Sequence, residues 1–161
     1  MIIREATQAD MPAIWPIFHE IVAAGTTYGF AEDSSQADAE NLWLKLPLKT
    51  FVAEDAGEVL GTYYIKANQA GPGSHVSNCG YMVSSRARGR GVASALCRHS
   101  QQVAKDLGFL AMQFNFVASS NEGAVRLWLH HGFEIVGRLP KAFCHPDKGY
   151  VEAFVMYKWL A

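Results

Sequence analysis

The chain has 161 residues, the length of one domain (1–161), and half of them are hydrophobic, so it can bury a core and is not a disordered tail. The formal net charge of −1 argues against nucleic acid or another polyanion as the main partner, while leaving room for one local anion site. No apolar run approaches the ~18 residues of a membrane span, and "MIIREATQADMPAIW" gains charge and a proline too early for a signal peptide. The three scattered cysteines, Cys79, Cys97 and Cys144, form no C-x-x-C, so a reducing cytoplasm is the expected location.

"MIIRE" reads as a first strand. Thr7 to Asp10 is a start signal for a helix that runs to about Ala24 and stops at Gly25; Pro12 suits its first turn, and Pro16 predicts a kink near Trp15. "TTYGFAEDSS" is a loop. Ser35 to Leu46 is predicted as a second helix with Ala39, Leu42, Trp43 and Leu46 on one face. "TFVAEDAGEVLGTYYIKA" reads as a hairpin turning at Asp55-Ala56-Gly57. After the turn-rich "NQAGPGSH", "HVSNCGYMVSS" is a fourth strand. A helix is predicted over Gly91 to Leu107, ended by Gly108, then a fifth strand "FLAMQFNFVA". Asn121 to His131 is a helix ended by Gly132, "FEIVGRL" a sixth strand, "KAFCHPDKG" a loop and "YVEAFVMYKWL" the last strand. Hairpins ahead of any strand–helix–strand unit predict an α/β (α+β) domain with a mixed sheet flanked by helices.

"SSRARGRGVASAL", Ser84 to Leu96, puts three arginines and two glycines between the fourth strand and the next helix. Free backbone N–H groups at a helix start, glycines that let a ligand approach, and guanidinium groups together suit an anion. It is neither a Walker A loop nor a G-x-G-x-x-G fingerprint. A solvated basic turn capping a helix is the plain alternative. A nucleic-acid site is the weaker one, since no aromatic-rich basic surface accompanies it.

The spacing Arg88-x-x-Gly91-x-Ala93 after a strand resembles the [RQ]-x-x-G-x-[GA] motif of the GCN5-related N-acetyltransferases. Further on, Asn121, Ala124, Leu127, Trp128, Gly132 and Phe133 resemble that family's N-x-x-A-x-x-L-[YW]-x-x-x-G-F signature. The similarity covers essentially the whole chain. It implies a mostly antiparallel sheet of about seven strands with about four helices and a V-shaped split between the fourth and fifth strands. It also implies acetyl-CoA as co-substrate. The resemblance puts the pyrophosphate on backbone groups of Arg88, Gly89, Arg90, Gly91, Val92, Ala93 and Ser94. It puts the pantetheine on those of Met82, Val83 and Ser84, with a backbone N–H near Met82 as oxyanion donor. Asn121 is open to two readings, a cofactor contact and an N-cap.

Two features depart from the common family pattern. Trp128 stands where many relatives have Tyr, and an indole N–H donates a hydrogen bond but cannot act as the acid. Water, or Asn121 as a donor to the sulfur, must serve instead, and Trp128 itself reads as core. The fourth strand also lacks the usual Glu. The triplet Asn78, Asn115 and Asn121 resembles a narrower group, the acetyltransferases of azetidine-2-carboxylate and proline-like imino acids. That resemblance implies that Asn78 meets the substrate nitrogen and Asn115 its carboxylate; the alternative is that buried strand asparagines only satisfy backbone groups at the split.

Phe18 and Tyr28, with Phe30, are expected as walls of the acceptor pocket or as core. His145 is read as a proton relay or a solvated loop residue, and Cys79 as a small buried hydrophobe. Cys144-His145 and His130-His131 lack ligand company, so no metal is expected. The reading adopted is an N-acetyltransferase acting on a small-molecule amine, with no nucleic-acid or membrane partner. Relatives often pair, so a homodimer is also expected. A protein N-terminal or lysine acetyltransferase and a non-catalytic acyl-CoA sensor are the competing readings.

Overall fold

The computed structural model describes residues 1–161. Seven strands, β1 (Ile2–Glu5), β2 (Lys49–Asp55), β3 (Glu58–Ala67), β4 (Val76–Val83), β5 (Ala111–Ala118), β6 (Glu134–His145) and β7 (Gly149–Trp159), form one sheet in the order β1-β2-β3-β4-β5-β7-β6. Every neighbouring pair is antiparallel except β4 and β5. Those two run parallel and pair only at Val76↔Ala111 and Ser77↔Met112 before they part. This is the expected α/β architecture with its V-shaped split.

Side chains alternate across the strands and so feed two cores. On one face, α1 (Met11–Ala23) and α2 (Gln36–Glu40) cover Val52, Tyr64 and Met82. On the other, α3 (Val92–Asp106) and α4 (Glu122–His130) cover Phe51, Tyr63, Ile65 and Phe114.

Three elements add detail to their sequence reading or differ from it. The helix over Ser35–Leu46 starts as expected, with Ser35 and Asp38 exchanging hydrogen bonds, but stays α-helical only to Glu40. Asn41–Lys45 widens into a π-turn closed by Leu46 N–H on Asn41 O at 2.9 Å. The wider turn seats Trp43, fully buried, where its Nε1–H donates to Thr62 Oγ1 at 3.0 Å and its carbonyl accepts from the Thr50 hydroxyl. Periodicity cannot report such a turn, because it answers to a partner on another strand. Second, α1 runs as one helix from Met11 to Ala23 with Pro16 inside it. Proline there removes the N–H that would reach Pro12 O, and both prolines lie on the exposed side. Third, "KAFC" belongs to β6 rather than to a loop. The strand absorbs Pro140 and Lys141 (φ +54°) in a bulge between Leu139 and Phe143, then resumes pairing to His145.

The start of α3 lies directly over β3 at Gly61. A Cβ at Gly61 would stand 3.0 Å from Val92 Cγ1, 3.2 Å from Leu96 Cδ1 and 3.0 Å from Met82 O. Gly61→Ala is therefore expected to lift the first turn of α3 and to cost about 1–3 kcal/mol. Thermal unfolding reads this as a drop of roughly 2–4 °C per kcal/mol; an unchanged midpoint would mean that the helix start is not clamped here.

Candidate functional site

The gap between β4 and β5 exposes one edge of β4. Ser84 N–H donates to Leu60 O at 2.8 Å, so Ser84, Met82 and Gly80 turn their backbone groups toward β3. Cys79, Tyr81 and Val83 turn theirs into the gap. Of the three residues expected to offer backbone groups there, Val83 does so and Met82 and Ser84 do not. A one-residue offset reverses the direction in a strand, and only the register reveals it.

Tyr81 is already engaged. The Tyr28 hydroxyl donates to Tyr81 O and accepts from Tyr81 N–H, each at 2.7 Å. Burial pushes the Tyr28 phenol well above its ordinary range, so it is a neutral hydroxyl at any physiological pH. Its ring stacks on Phe30 at 5.3 Å. Phe18, by contrast, is fully buried behind Phe30 and against Trp43 (centroids 5.9 and 6.0 Å). It supports the wall and does not line the cavity.

At the narrow end of the gap, Asn78 takes over where the ladder stops. Its Nδ2 donates to Gln113 O at 3.0 Å, and its Oδ1 accepts from the Tyr64 hydroxyl at 3.2 Å. One N–H and part of the oxygen's capacity remain for a ligand. Asn115 Nδ2 donates to Asn68 Oδ1 at 2.8 Å, and its Oδ1 accepts from Gln113 Nε2 at 2.9 Å. Asn121 caps α4, its Oδ1 accepting from Ala124 N–H at 3.4 Å. All three asparagines line one cavity.

At the wide end lies the start of α3. Gly91, at φ +75°, is its N-cap. The first helical bond is Ala95 N–H to Gly91 O, so the N–H groups of Val92, Ala93 and Ser94 precede the ladder. The arginines divide their work. Arg90 pairs with Asp55 at 2.7 Å and Arg86 with Glu58 at 3.7 Å, which ties the loop to the β2–β3 turn. Arg88 pairs with no carboxylate and lines the cavity. The Ser94 hydroxyl is committed to His131 Nε2 at 2.8 Å and to the Arg98 guanidinium at 3.1 Å, leaving its backbone N–H as the group to offer.

The cavity between β4 and β5 has a volume of about 660 Å³ and runs from Arg88, in the loop before α3, through the gap to Tyr28, Phe30 and Tyr64. A site of that kind, with an anion-binding end, an open strand edge and an aromatic end, suits a long phosphorylated ligand meeting a second molecule mid-sheet.

The acetyltransferase (GNAT) family model matches residues 14–133. This chain belongs to the GNAT acetyltransferase family. It is 30% identical over 156 residues to the L-amino acid N-acetyltransferase AaaT of Escherichia coli, a match covering 97% of this chain and 96% of that protein. Over 98 residues it is 34% identical to N-acetyltransferase aca1 of Schizosaccharomyces pombe, covering 60% of this chain and 47% of that one, so the match spans about half the length of the yeast protein. A GCN5-related N-acetyltransferase of Kribbella flavida superposes with a TM-score of 0.94 at 44% identity, covering 98% of this chain and 96% of that one.

Other GNAT residues named from the sequence fall as follows. Trp128 is buried against Tyr81 (4.8 Å) and Phe114 (5.1 Å), a core residue that also reaches the cavity wall. His145 is neither a relay nor solvated. It is buried, and its Nδ1 accepts from Asp147 and Lys148 N–H at 3.1 and 3.2 Å, closing the β6–β7 turn. Tyr64 and Lys66 line the cavity, yet nothing in their sequence pattern marks them, because only register sets them beside Asn78. Cys79 is buried, and burial pushes its thiol up, away from thiolate. Cys79→Ala is expected to keep acetyl transfer within a few-fold of wild type. A loss beyond 100-fold, accompanied by ping-pong kinetics, would reveal an acyl-cysteine instead.

Proposed function

We propose that this protein moves an acetyl group from acetyl-CoA directly to the amine of a small amino or imino acid, and that it works in the cytoplasm. The observation that carries the reading is the single cavity that runs from Arg88, in the loop before α3, across the open edge of β4 to an aromatic pocket. The full-length likeness to an L-amino acid N-acetyltransferase favours a small acceptor over a polypeptide.

The chain's groups fit the co-substrate. The N–H groups of Val92, Ala93 and Ser94, together with Arg88, suit the pyrophosphate, with Gly89, Arg90 and Gly91 shaping the turn. Val83 offers its backbone to the pantetheine arm. Acetyl-CoA supplies the activated carbonyl. Tyr81 N–H, rather than a group at Met82, is the donor for the charge that develops on the carbonyl oxygen as the amine adds. The Tyr28 hydroxyl holds that position beforehand and yields the N–H when the thioester arrives. Asn78 orients the amine with its remaining N–H and oxygen while pinning the narrow end of the gap, and Asn115 faces the acceptor carboxylate.

The amine must arrive as its free base, and β4 carries no carboxylate to take its proton. Glu20 is the one carboxylate lining the cavity and it is exposed, so solvent takes the proton. As the new C–N bond forms, the C–S bond breaks. The departing thiolate is protonated from water, with Asn121 as a hydrogen-bond donor beside it and Trp128 excluded as the acid.

Thiol release from acetyl-CoA with a panel of L-amino acids, proline analogues, polyamines and short peptides, with product masses, tests the reading. Acetylation of an amino or imino acid is expected; activity confined to peptides would overturn it. Asn78→Ala is expected to abolish this activity and also to cost about 1–3 kcal/mol of stability, since it orphans Gln113 O and the Tyr64 hydroxyl. Tyr28→Phe is expected to bind acetyl-CoA a few-fold more tightly, because no internal bond at Tyr81 must first be given up. A 100-fold fall in kcat at unchanged KM would make the Tyr28 hydroxyl a direct donor to the oxyanion instead.

A further inference from the structure

Three charged side chains line the cavity: Glu20, Lys66 and Arg88. Arg88 stands beside the start of α3, at the phosphate end. Lys66 is therefore the one cation on the acceptor side. It lies on β3 directly opposite Asn78 on β4, and alternation puts its side chain on the α1/α2 face with Tyr64 and Asn78. Its ammonium sits 5.5 Å from the centroid of the Tyr64 ring, and it joins no ion pair, whereas Lys49, opposite Ile65 on the next strand, is paired with Glu5. A half-buried lysine whose ammonium has no carboxylate partner, held over an aromatic floor inside a ligand cavity, has a free valence for an anion.

We propose that Lys66 binds the carboxylate of the acceptor and so selects amines that carry an acid group over neutral amines. This inference rests on the small-molecule reading above and names the charge that would enforce it. The placement agrees. Asn78, which orients the amine, lies directly opposite Lys66, so the two ends of one short amino acid fall to adjacent side chains on paired strands. The neighbouring amides add neutral contacts only. Asn115 has one N–H committed to Asn68 and its oxygen occupied by Gln113, so it steers the carboxylate while Lys66 supplies the charge. Tyr28, Phe30 and Phe116 then leave an apolar volume for the acceptor's side chain.

The test compares an accepted amino acid with its own carboxamide, which keeps the amine and the side chain but loses the charge. Wild type is expected to prefer the acid by about 10- to 100-fold in kcat/KM, the range of one charge-assisted hydrogen bond. In Lys66→Gln that preference should collapse toward one through the KM for the acid, with the KM for acetyl-CoA unmoved. Lys66→Arg should restore part of it. Circular dichroism of Lys66→Gln confirms folding, and turnover of the carboxamide by the same variant shows a working site. An acid-to-amide ratio that survives Lys66→Gln, or a wild type indifferent to the carboxylate, overturns the assignment while leaving the acetyltransferase reading standing. Failure of wild type to acetylate any small amine removes both.

Discussion

The site depends on where β4 and β5 stop pairing. Two rungs hold them together, and beyond Ser77 and Met112 the strands diverge. A parallel pair inside a sheet ordinarily continues to the strand ends, since unpaired backbone groups in the interior are costly. Here the cost is met locally. Asn78 gives a side-chain amide to Gln113 O, and Tyr28 satisfies both polar groups of Tyr81 with one hydroxyl. Those two residues satisfy part of the opened edge and leave Val83 facing the gap, and the opening is the cavity.

The rest of the architecture positions the two ends of that opening. Gly61 brings the start of α3 down onto β3, close to the wide end of the split. Arg90 and Arg86 pair with Asp55 and Glu58, whereas Arg88, without a carboxylate partner, lines the cavity. On the other face, the π-turn at Asn41–Lys45 seats Trp43, against which Phe18 and Tyr28 pack edge-on, and Phe18 backs the Tyr28–Phe30 stack. Charge follows the same division. The end beside α3 offers main-chain N–H groups and Arg88, whereas the far end has one ammonium set among amides and aromatics.

Much of this was legible in the residues, for a specific reason. A loop that must pass close to a ligand and then start a helix needs glycine at fixed intervals, so the Arg88–Ala93 spacing is a local signature that survives without tertiary knowledge. The cap at Asn121 and the stops at Gly25, Gly108 and Gly132 are equally local. Tyr28, Asn78, Asn115 and Asn121 all reach the cavity as expected. Phe18 does not, since an aromatic beside a pocket and one behind it look alike in sequence. Met82 and Ser84, expected at the gap, turn their backbones to β3, because strand direction cannot be read to a single residue.

By itself the sequence determined the helix boundaries set by caps and glycines, the strand-rich middle, and a phosphate-type loop, all of which depend on contacts within a few residues. The tertiary structure alone decided which strand residues face the gap, that Tyr28 closes on Tyr81 from 53 residues away, that Asn78 bridges to Gln113, and that Lys66 lies opposite Asn78. These depend on register between strands distant in the chain. A shift of one residue reverses every backbone group and side chain at once, and no local pattern records which register wins.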